Sequence, residues 1–437
     1  MIKPSNVRNI LNNHLLTDGY EIIMDLEKSK GSWLVDARDG SKHLDMFSMY
    51  ASGAVGYNHP YIIDNAEKLK ISSYNKTTLS DMYNQFFSEF VDTFSKTAIP
   101  NYLPHAFFID GGSLAVENAL KVAFDWKVRK NIMKDKKELG RKVIHFKQAF
   151  HGRSGYTLSL TNTSDPRKTM YFPKFDWPRI INPKLSFPIT EEIMKNVLKQ
   201  EEEALNHIKS EVNNDSDDIA AIIIEPIQGE GGDNHFRNEF MCSLREICDE
   251  NDIIFIMDEV QTGVGITGKW WAHEYFSCKP DIISFGKKTQ VCGMLASSRI
   301  DEVDNNVFIE SSRINSTFGG NLTDMVRFQL ILDIIVKENL LENVCKMGNK
   351  LLKGLENLAC EFPALITNPR GTGLFAAFDL PSQIERDNLI SLLSKNNLLI
   401  LPSGDVSIRF RPHLNVLSED LDLALDIIHS SIKNTLN

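Results

Sequence analysis

The sequence predicts an α/β protein: a central unit built on a parallel sheet with helices on both faces, and a smaller α+β unit drawn from both chain ends. Three observations carry this. Between residues 105 and 288, short and almost wholly apolar runs alternate with longer amphipathic ones. This is the pattern of strand-helix-strand units whose strands are covered on both sides. The flanking sequence breaks that pattern, with a hairpin before it and mixed helices and short strands after it. The length, 437 residues, is ample for more than one structural unit.

The elements follow in chain order. MIKPSNVRNILNNHLL, at the start, has helical spacing and lacks the long apolar core of a signal peptide. GSWLVDARDGSKHLDMF (Gly31 to Phe47) reads as a hairpin turning at Asp39-Gly40. HAFFID (His105 to Asp110) is a buried strand, and SLAVENALKVAFDWK (Ser113 to Lys127) is a helix with Val116, Leu120, Ala123 and Phe124 on one face. The basic segment Lys127 to Lys142 reads as a solvated helix end and loop. KVIHF (Lys142 to Phe146) is a strand, and NNDSDD (Asn213 to Asp218) is a surface loop. IAAIIIEP (Ile219 to Pro226), IIFIMDEV (Ile253 to Val260) and DIISFGKK (Asp281 to Lys288) are buried strands, and NEFMCSLREICDEND (Asn238 to Asp252) is a helix. From about Asp324 the chain mixes helices with short strands such as LLILP and SIRFRP. The expected division is residues 1–60 and 324–437 for the small unit and 61–323 for the large one.

Composition excludes several classes. The formal charge of −10 argues against a nucleic-acid backbone or an anionic membrane as partner. No apolar run approaches the length of about 18 residues that a membrane span needs. None of the six cysteines forms a Cys-x-x-Cys pair or clusters with His at zinc spacing. They read as reduced thiols of a cytoplasmic protein, with no metal site.

Open parallel sheets bind ligands at the carboxyl ends of their strands. The first strand ends in Asp110-Gly111-Gly112-Ser113 and feeds a helix, whose free N–H groups and positive dipole end suit a phosphate. Taken alone it also reads as a tight turn with Ser113 as N-cap. KVIHF leads into Phe150-His151-Gly152-Arg153, where an aromatic at a strand end can stack on a flat ring. Two further strands end in Glu225-Pro226 and Asp258-Glu259, and another in Gly286-Lys287-Lys288. Charges straight after apolar runs are costly unless something meets them. A buried lysine with a depressed pKa suits Schiff-base chemistry. A phosphate cradle, a stacking aromatic, a buried Asp and a buried Lys in one crevice form the set that pyridoxal 5'-phosphate requires. In it Asp258 holds the pyridinium nitrogen protonated.

Gly263 to Lys269 matches G-x-G-x-x-G and nearly matches a P-loop. Trp270 stands where that loop needs Ser or Thr, and Asp281 precedes its strand instead of ending it, so the segment reads as a Gly-rich loop.

IIFIMDEVQTGVGITGKWWAHEYFSCKPDIISFGK, EPIQGEGG and FHGRSGYT resemble the motifs of class III (ω-type) pyridoxal-phosphate aminotransferases of fold type I. FGKKTQVCG, FHGRSGYTLSLTNT, INSTFGGNLTDMVR and IRFRPHL resemble the lysine 6-aminotransferase branch of that family. The resemblance spans nearly the whole chain. It implies a large cofactor-binding domain with a mostly parallel, seven-stranded type of sheet.

Carried over residue by residue, it implies that Lys287 is the Schiff-base lysine and Asp258 the pyridinium partner. Lys288, as the next residue on a strand, should face away. Gln261 matches the contact to the cofactor's 3-hydroxyl, Phe150 the stacking ring, and Gly112 and Ser113 the phosphate cradle. Thr317 matches a phosphate ligand given by the other subunit of a homodimer with shared active sites. Arg153, Asn315 and Arg409 match substrate carboxylate contacts, and Glu230 matches the carboxylate that pairs with Arg409. Ser113 departs from the Ala frequent in that branch, and Phe318 from the Trp. The implied reaction moves the ε-amino group of L-lysine to 2-oxoglutarate. Its products are 2-aminoadipate 6-semialdehyde, which cyclises, and L-glutamate. Ornithine, acetylornithine or 4-aminobutyrate as donor, or an isomerase or racemase on the same fold, are the alternatives.

Overall fold

The computed structural model describes residues 2–436. Two strands, β1 (Trp33–Val35) and β2 (Lys42–Asp45), form the antiparallel hairpin, and Gly40 takes the left-handed conformation (φ 79°) at its turn. A helix over Gln85–Thr97 then leads to β3 (His105–Ile109), and the long helix Gly112–Met133 to β4 (Lys142–Phe146). After β5 (Arg179–Ile180) and the helix Glu191–Asp215 comes β6 (Ile219–Ile224). A two-stranded ribbon follows, β7 (Ile227–Gln228) with β8 (Asn234–His235). The helix Asn238–Glu250 precedes β9 (Ile254–Asp258), β10 (Ile282–Phe285) and β11 (Cys292–Ala296).

Seven of these strands make one sheet in the order β3-β11-β10-β9-β6-β4-β5. Only β11 runs against the others, since it pairs antiparallel with both β10 and β3 while the remaining pairs are parallel. Six strands therefore end at the same edge. Side chains alternate between two cores, which explains the unbroken apolar runs. Ala221 and Ile223 of β6 face the side covered by the helix Gly112–Met133, while Ile222 and Ile224 face the opposite side. Fully burying each of these isoleucine side chains is worth about 1.5–3 kcal/mol.

The C-terminal part adds a four-stranded antiparallel sheet, β12 (Thr367–Thr372), β13 (Phe375–Asp379), β15 (Leu401–Ser403) and β16 (Ser407–Phe410), in the order β12-β13-β16-β15. Between β13 and β15 lies β14 (Leu398–Leu399), which pairs parallel with β2 and so joins the two chain ends in one small sheet.

The structure departs from the sequence reading at four places. The helix Glu191–Asp215 runs through Asn213 to Asp215, so only the end of NNDSDD is a loop; Thr190 caps that helix by accepting the N–H of Ile193. Lys127 is buried, not solvated, because its ammonium donates to the carbonyls of Asn251 and Asp252 at 3.1 and 3.0 Å. The helix Leu322–Lys337 begins before residue 324 and packs on the helices Ala66–Tyr74 and Gln85–Thr97 of the central part. The strand β10 stops at Phe285, so Lys287 and Lys288 are not strand residues. Among the described residues no cluster of His, Cys, Asp or Glu is placed to hold a metal ion, and no helix is long and apolar enough to cross a membrane. All six cysteines are free thiols.

Candidate active site

A cleft of about 1350 Å³ opens where the parallel strands end. Gly112, Ser113, Phe150, Asp258, Gln261 and Lys287 line it, together with Arg153, Glu230 and Arg409.

Lys287 starts a short 3₁₀ turn (Lys287–Thr289) with φ 55°, a strained left-handed conformation for a side chain of this size. The turn, not strand alternation, separates the two lysines. The Lys287 ammonium donates to the carbonyl of Tyr50 at 2.8 Å, and that of buried Lys288 to the carbonyl of Ala51 at 2.9 Å. Those carbonyls belong to a second left-handed turn, Ser48 to Ala51, in which all four residues have positive φ. Burial, then the nearby guanidinium groups of Arg409 and Arg411, push the pKa of Lys287 down to about 8.

Asp258 is the last residue of β9 and is buried. Its Oδ1 accepts from Ser284 Oγ at 2.9 Å and from the Val260 N–H at 3.0 Å, and its Oδ2 meets His151 Nδ1 at 2.8 Å. His151 is a residue that the sequence reading left beside the aromatic without a role. Glu225, at the end of β6, is another. It accepts the N–H of Phe150 at 2.9 Å and of Gly229 at 3.0 Å, so it sets both the ring platform and the loop that carries Glu230. Burial pushes its pKa up to about 7.

Gly111 (φ 99°) turns the chain into the helix Gly112–Met133, whose first N–H groups open on the cleft. A Cβ on Gly112 would lie 2.8 Å from Val260 Cγ1, and one on Gly152 would lie 2.3 Å from Ser113 Oγ. Ser113 Oγ is itself 2.7 Å from Thr157 Oγ1, which fixes the hydroxyl at the helix start.

Gln261 Oε1 accepts from Arg411 Nη2 at 2.9 Å and Nε at 3.0 Å, and from Arg409 Nη1 at 3.3 Å. Its amide nitrogen is the part left for a ligand. Arg411 also forms a fully buried ion pair with Asp233 at 2.7 Å and lies over the Phe375 ring. Arg409, on β16, donates to the Gly229 carbonyl at 2.9 Å, and its buried Nε has no partner among the described residues. Burial and the adjacent Arg411 bring its pKa down to about 10. Arg153 is exposed at the mouth of the cleft.

The expected ion pair between Glu230 and Arg409 is not made. Glu230 Oε1 instead accepts from Lys168 Nζ at 2.5 Å and Thr163 Oγ1 at 2.8 Å. The reason is local: Lys168 and Thr163 offer Glu230 two donors on the other side, while the oxygens of Gly229 and Gln261 take up only Nη1 of Arg409. Asn315 and Thr317 lie outside the cleft on an exposed loop. The Asn315 side chain accepts the Ser316 N–H, and the Thr317 carbonyl accepts from Ser80 Oγ. The Gly263-to-Lys269 segment also lies apart from the cleft. The Ile266 carbonyl accepts the N–H of Leu374, and Gly268 packs against Cys345, so it is a structural loop.

A phosphate-binding helix start with no room for a side chain at Gly112, a buried carboxylate, a ring platform and an amine of lowered pKa together fit pyridoxal 5'-phosphate.

The model of the family "Aminotransferase class-III" matches residues 17–432. The L-lysine-epsilon aminotransferase of Mycobacterium tuberculosis (strain ATCC 25618 / H37Rv) is 48% identical over 433 residues, 98% of this chain and 96% of that protein. The mitochondrial 4-aminobutyrate aminotransferase of Sus scrofa is 32% identical over 441 residues, 96% of this chain and 86% of that protein. The solved lysine aminotransferase of M. tuberculosis, in its internal aldimine form, superposes with a TM-score of 0.97 at 47% identity, covering 99% of this chain and 100% of that one. On the fold, the cleft and these likenesses, the chain belongs to the class III aminotransferases and is a pyridoxal-phosphate-dependent enzyme.

Proposed function

We propose that this enzyme transfers the ε-amino group of L-lysine to 2-oxoglutarate, forming 2-aminoadipate 6-semialdehyde, which cyclises, and L-glutamate. One observation carries the reading: a single cleft holds Lys287, Asp258 and two arginines, one exposed at its mouth and one buried beside Glu230. The 48% identity to an L-lysine-epsilon aminotransferase supports lysine over 4-aminobutyrate, whose aminotransferase is 32% identical.

Bound pyridoxal phosphate supplies an electron sink that makes the C–H bond beside the transferred nitrogen acidic. Asp258, held by Ser284 and His151, keeps a proton on the ring nitrogen. Lys287 Nζ, whose pKa of about 8 leaves part of the population neutral, would serve as the base that takes the proton from the ε-carbon of lysine and gives it back. Phe150 would stack on the ring, Gly112 and Ser113 would cradle the phosphate, and Gln261 would meet the 3-hydroxyl. Arg153 holds the far carboxylate of either substrate, since a guanidinium pairs with a carboxylate in two places. Arg409 takes the α-carboxylate of glutamate, where lysine presents only methylene groups. Glu230 turns toward Arg409 to hide that charge in the lysine half and away from it in the glutamate half.

In the same reading Thr317, and Asn315 beside it, reach the cleft of a second subunit, which makes the enzyme a cytoplasmic homodimer. Their exposed loop, outside the cleft of their own chain, supports this. The division into a small domain (1–60 and 324–437) and a large cofactor-binding domain (61–323) belongs to the reading too, supported by the pairing of β2 with β14.

Lysine labelled with ¹⁵N at one position tests the regiochemistry. The ε-label is expected in glutamate, and the α-label in the cyclised product. Appearance of the α-label in glutamate, or glutamate formed only from ornithine or 4-aminobutyrate, would overturn the reading.

A further inference from the structure

We propose that Lys168 is a specificity-determining positioning residue, which holds the Glu230 carboxylate away from Arg409 and so sets the balance between the two half-reactions. This rests on the reading that Arg409 receives a carboxylate in only one of them.

Glu230 has a fixed backbone and a side chain with two places to go. Its carbonyl accepts the Gly404 N–H at 2.8 Å, and the preceding carbonyl, of Gly229, accepts from Ser403 Oγ at 2.7 Å. Arg409 Nη1 donates to that same Gly229 carbonyl at 2.9 Å, so its guanidinium lies one peptide unit from Glu230. On the other side stand Lys168 Nζ and Thr163 Oγ1, at 2.5 and 2.8 Å from Glu230 Oε1. Rotation of one side chain exchanges the two sides without moving the loop.

The arrangement leaves two complementary orphans. Glu230 Oε2 and Arg409 Nε are both buried and without partners among the described residues. Each supplies what the other lacks, yet the pair is not formed, so something holds the carboxylate off. Among the described residues, Lys168 is the one cation bonded to it. Its own position is set locally: it closes the short 3₁₀ turn Pro166–Lys168, which starts at Asp165, and Asp165 accepts the N–H of Arg167 and pairs with its guanidinium. Arg167 is thereby occupied, and Lys168 is left to reach into the cleft. An ammonium facing Glu230 keeps Arg409 open to the α-carboxylate of glutamate or 2-oxoglutarate. Without it, Glu230 moves to Arg409 and competes with that carboxylate.

The test uses the cofactor-loaded protein and four variants: Lys168→Met, Lys168→Arg, Glu230→Gln and the double variant Lys168→Met/Glu230→Gln. Two quantities are read: equilibrium binding of glutarate, an unreactive dicarboxylate, by calorimetry, and the rates of the two half-reactions with lysine alone and glutamate alone. Lys168→Met is expected to weaken glutarate binding and shift the ratio of half-reactions toward lysine, each about fivefold, the scale of one partly exposed ion pair. Lys168→Arg restores both. Adding Lys168→Met to Glu230→Gln changes neither, because no carboxylate is left to position. Equal slowing of both halves, unchanged glutarate binding, or an undiminished effect of Lys168→Met in the Glu230→Gln background would overturn the proposal. Wild-type protein that reacts with glutamate and not with lysine would instead sink the donor assignment, while the glutarate measurement still decides the role of Lys168.

Discussion

Lys287 joins two properties that an exposed lysine lacks, a left-handed backbone and an amine whose charged form is disfavoured. An unperturbed lysine titrates near about 10.4. With burial and two guanidinium groups bringing Lys287 to about 8, its amine becomes a free nucleophile well below that. The sign follows directly: the neutral fraction rises with pH, reaches one half at about pH 8 and saturates above it. The rate at which cofactor-free protein takes up pyridoxal phosphate, followed by visible absorbance, is expected to be half-maximal at about pH 8 and to level off above it. A rate that keeps climbing tenfold per unit toward about pH 10 would show an ordinary lysine. The reactive pair was legible in the sequence for a physical reason. A charge straight after an apolar strand is costly, so Asp258 and Lys287 stood out from their neighbours. Lys168 and His151 did not stand out. Their partners Glu230 and Asp258 lie 62 and 107 residues away, and only the folded chain brings them together.

The elements were legible to the degree that burial alone specified them. β6 and β9 are packed on both faces, so their apolar runs could only be strands. β11 was not foreseen. CGMLA holds no β-branched residue, and its Gly293 is there because a Cβ would come within 2.1 Å of the Phe107 carbonyl oxygen on the neighbouring β3. Asp233, in the turn of the β7–β8 ribbon, and Arg411, the residue after β16, form an ion pair that no solvent reaches. Removing one partner leaves an uncompensated buried charge, a loss of about 3–5 kcal/mol. Asp233→Ala is therefore expected to lower the unfolding free energy of the holoenzyme by about that much in urea titration. A loss below about 1 kcal/mol would mean that Arg411 finds water or another acceptor. That the helix Leu322–Lys337 packs on the helix Gln85–Thr97 was not legible, because an amphipathic pattern shows which face is buried and not against what.

For the whole molecule, the proposed role of Thr317 needs two chains per working site. Mixed dimers of Lys287→Ala with Thr317→Glu, each variant inactive by itself, test this. If Thr317 serves the partner's cleft, one of the two sites in a mixed dimer keeps both Lys287 and Thr317, and activity returns. If Thr317 acts within its own chain, both sites stay defective and nothing returns. The central claim, that L-lysine is the amino donor, is tested most directly by the visible spectrum of the holoenzyme with L-lysine as the only added substrate. Loss of the cofactor's visible band with lysine, and its return on adding 2-oxoglutarate, is the predicted result. An unchanged spectrum with lysine, together with bleaching by ornithine or 4-aminobutyrate, would contradict it.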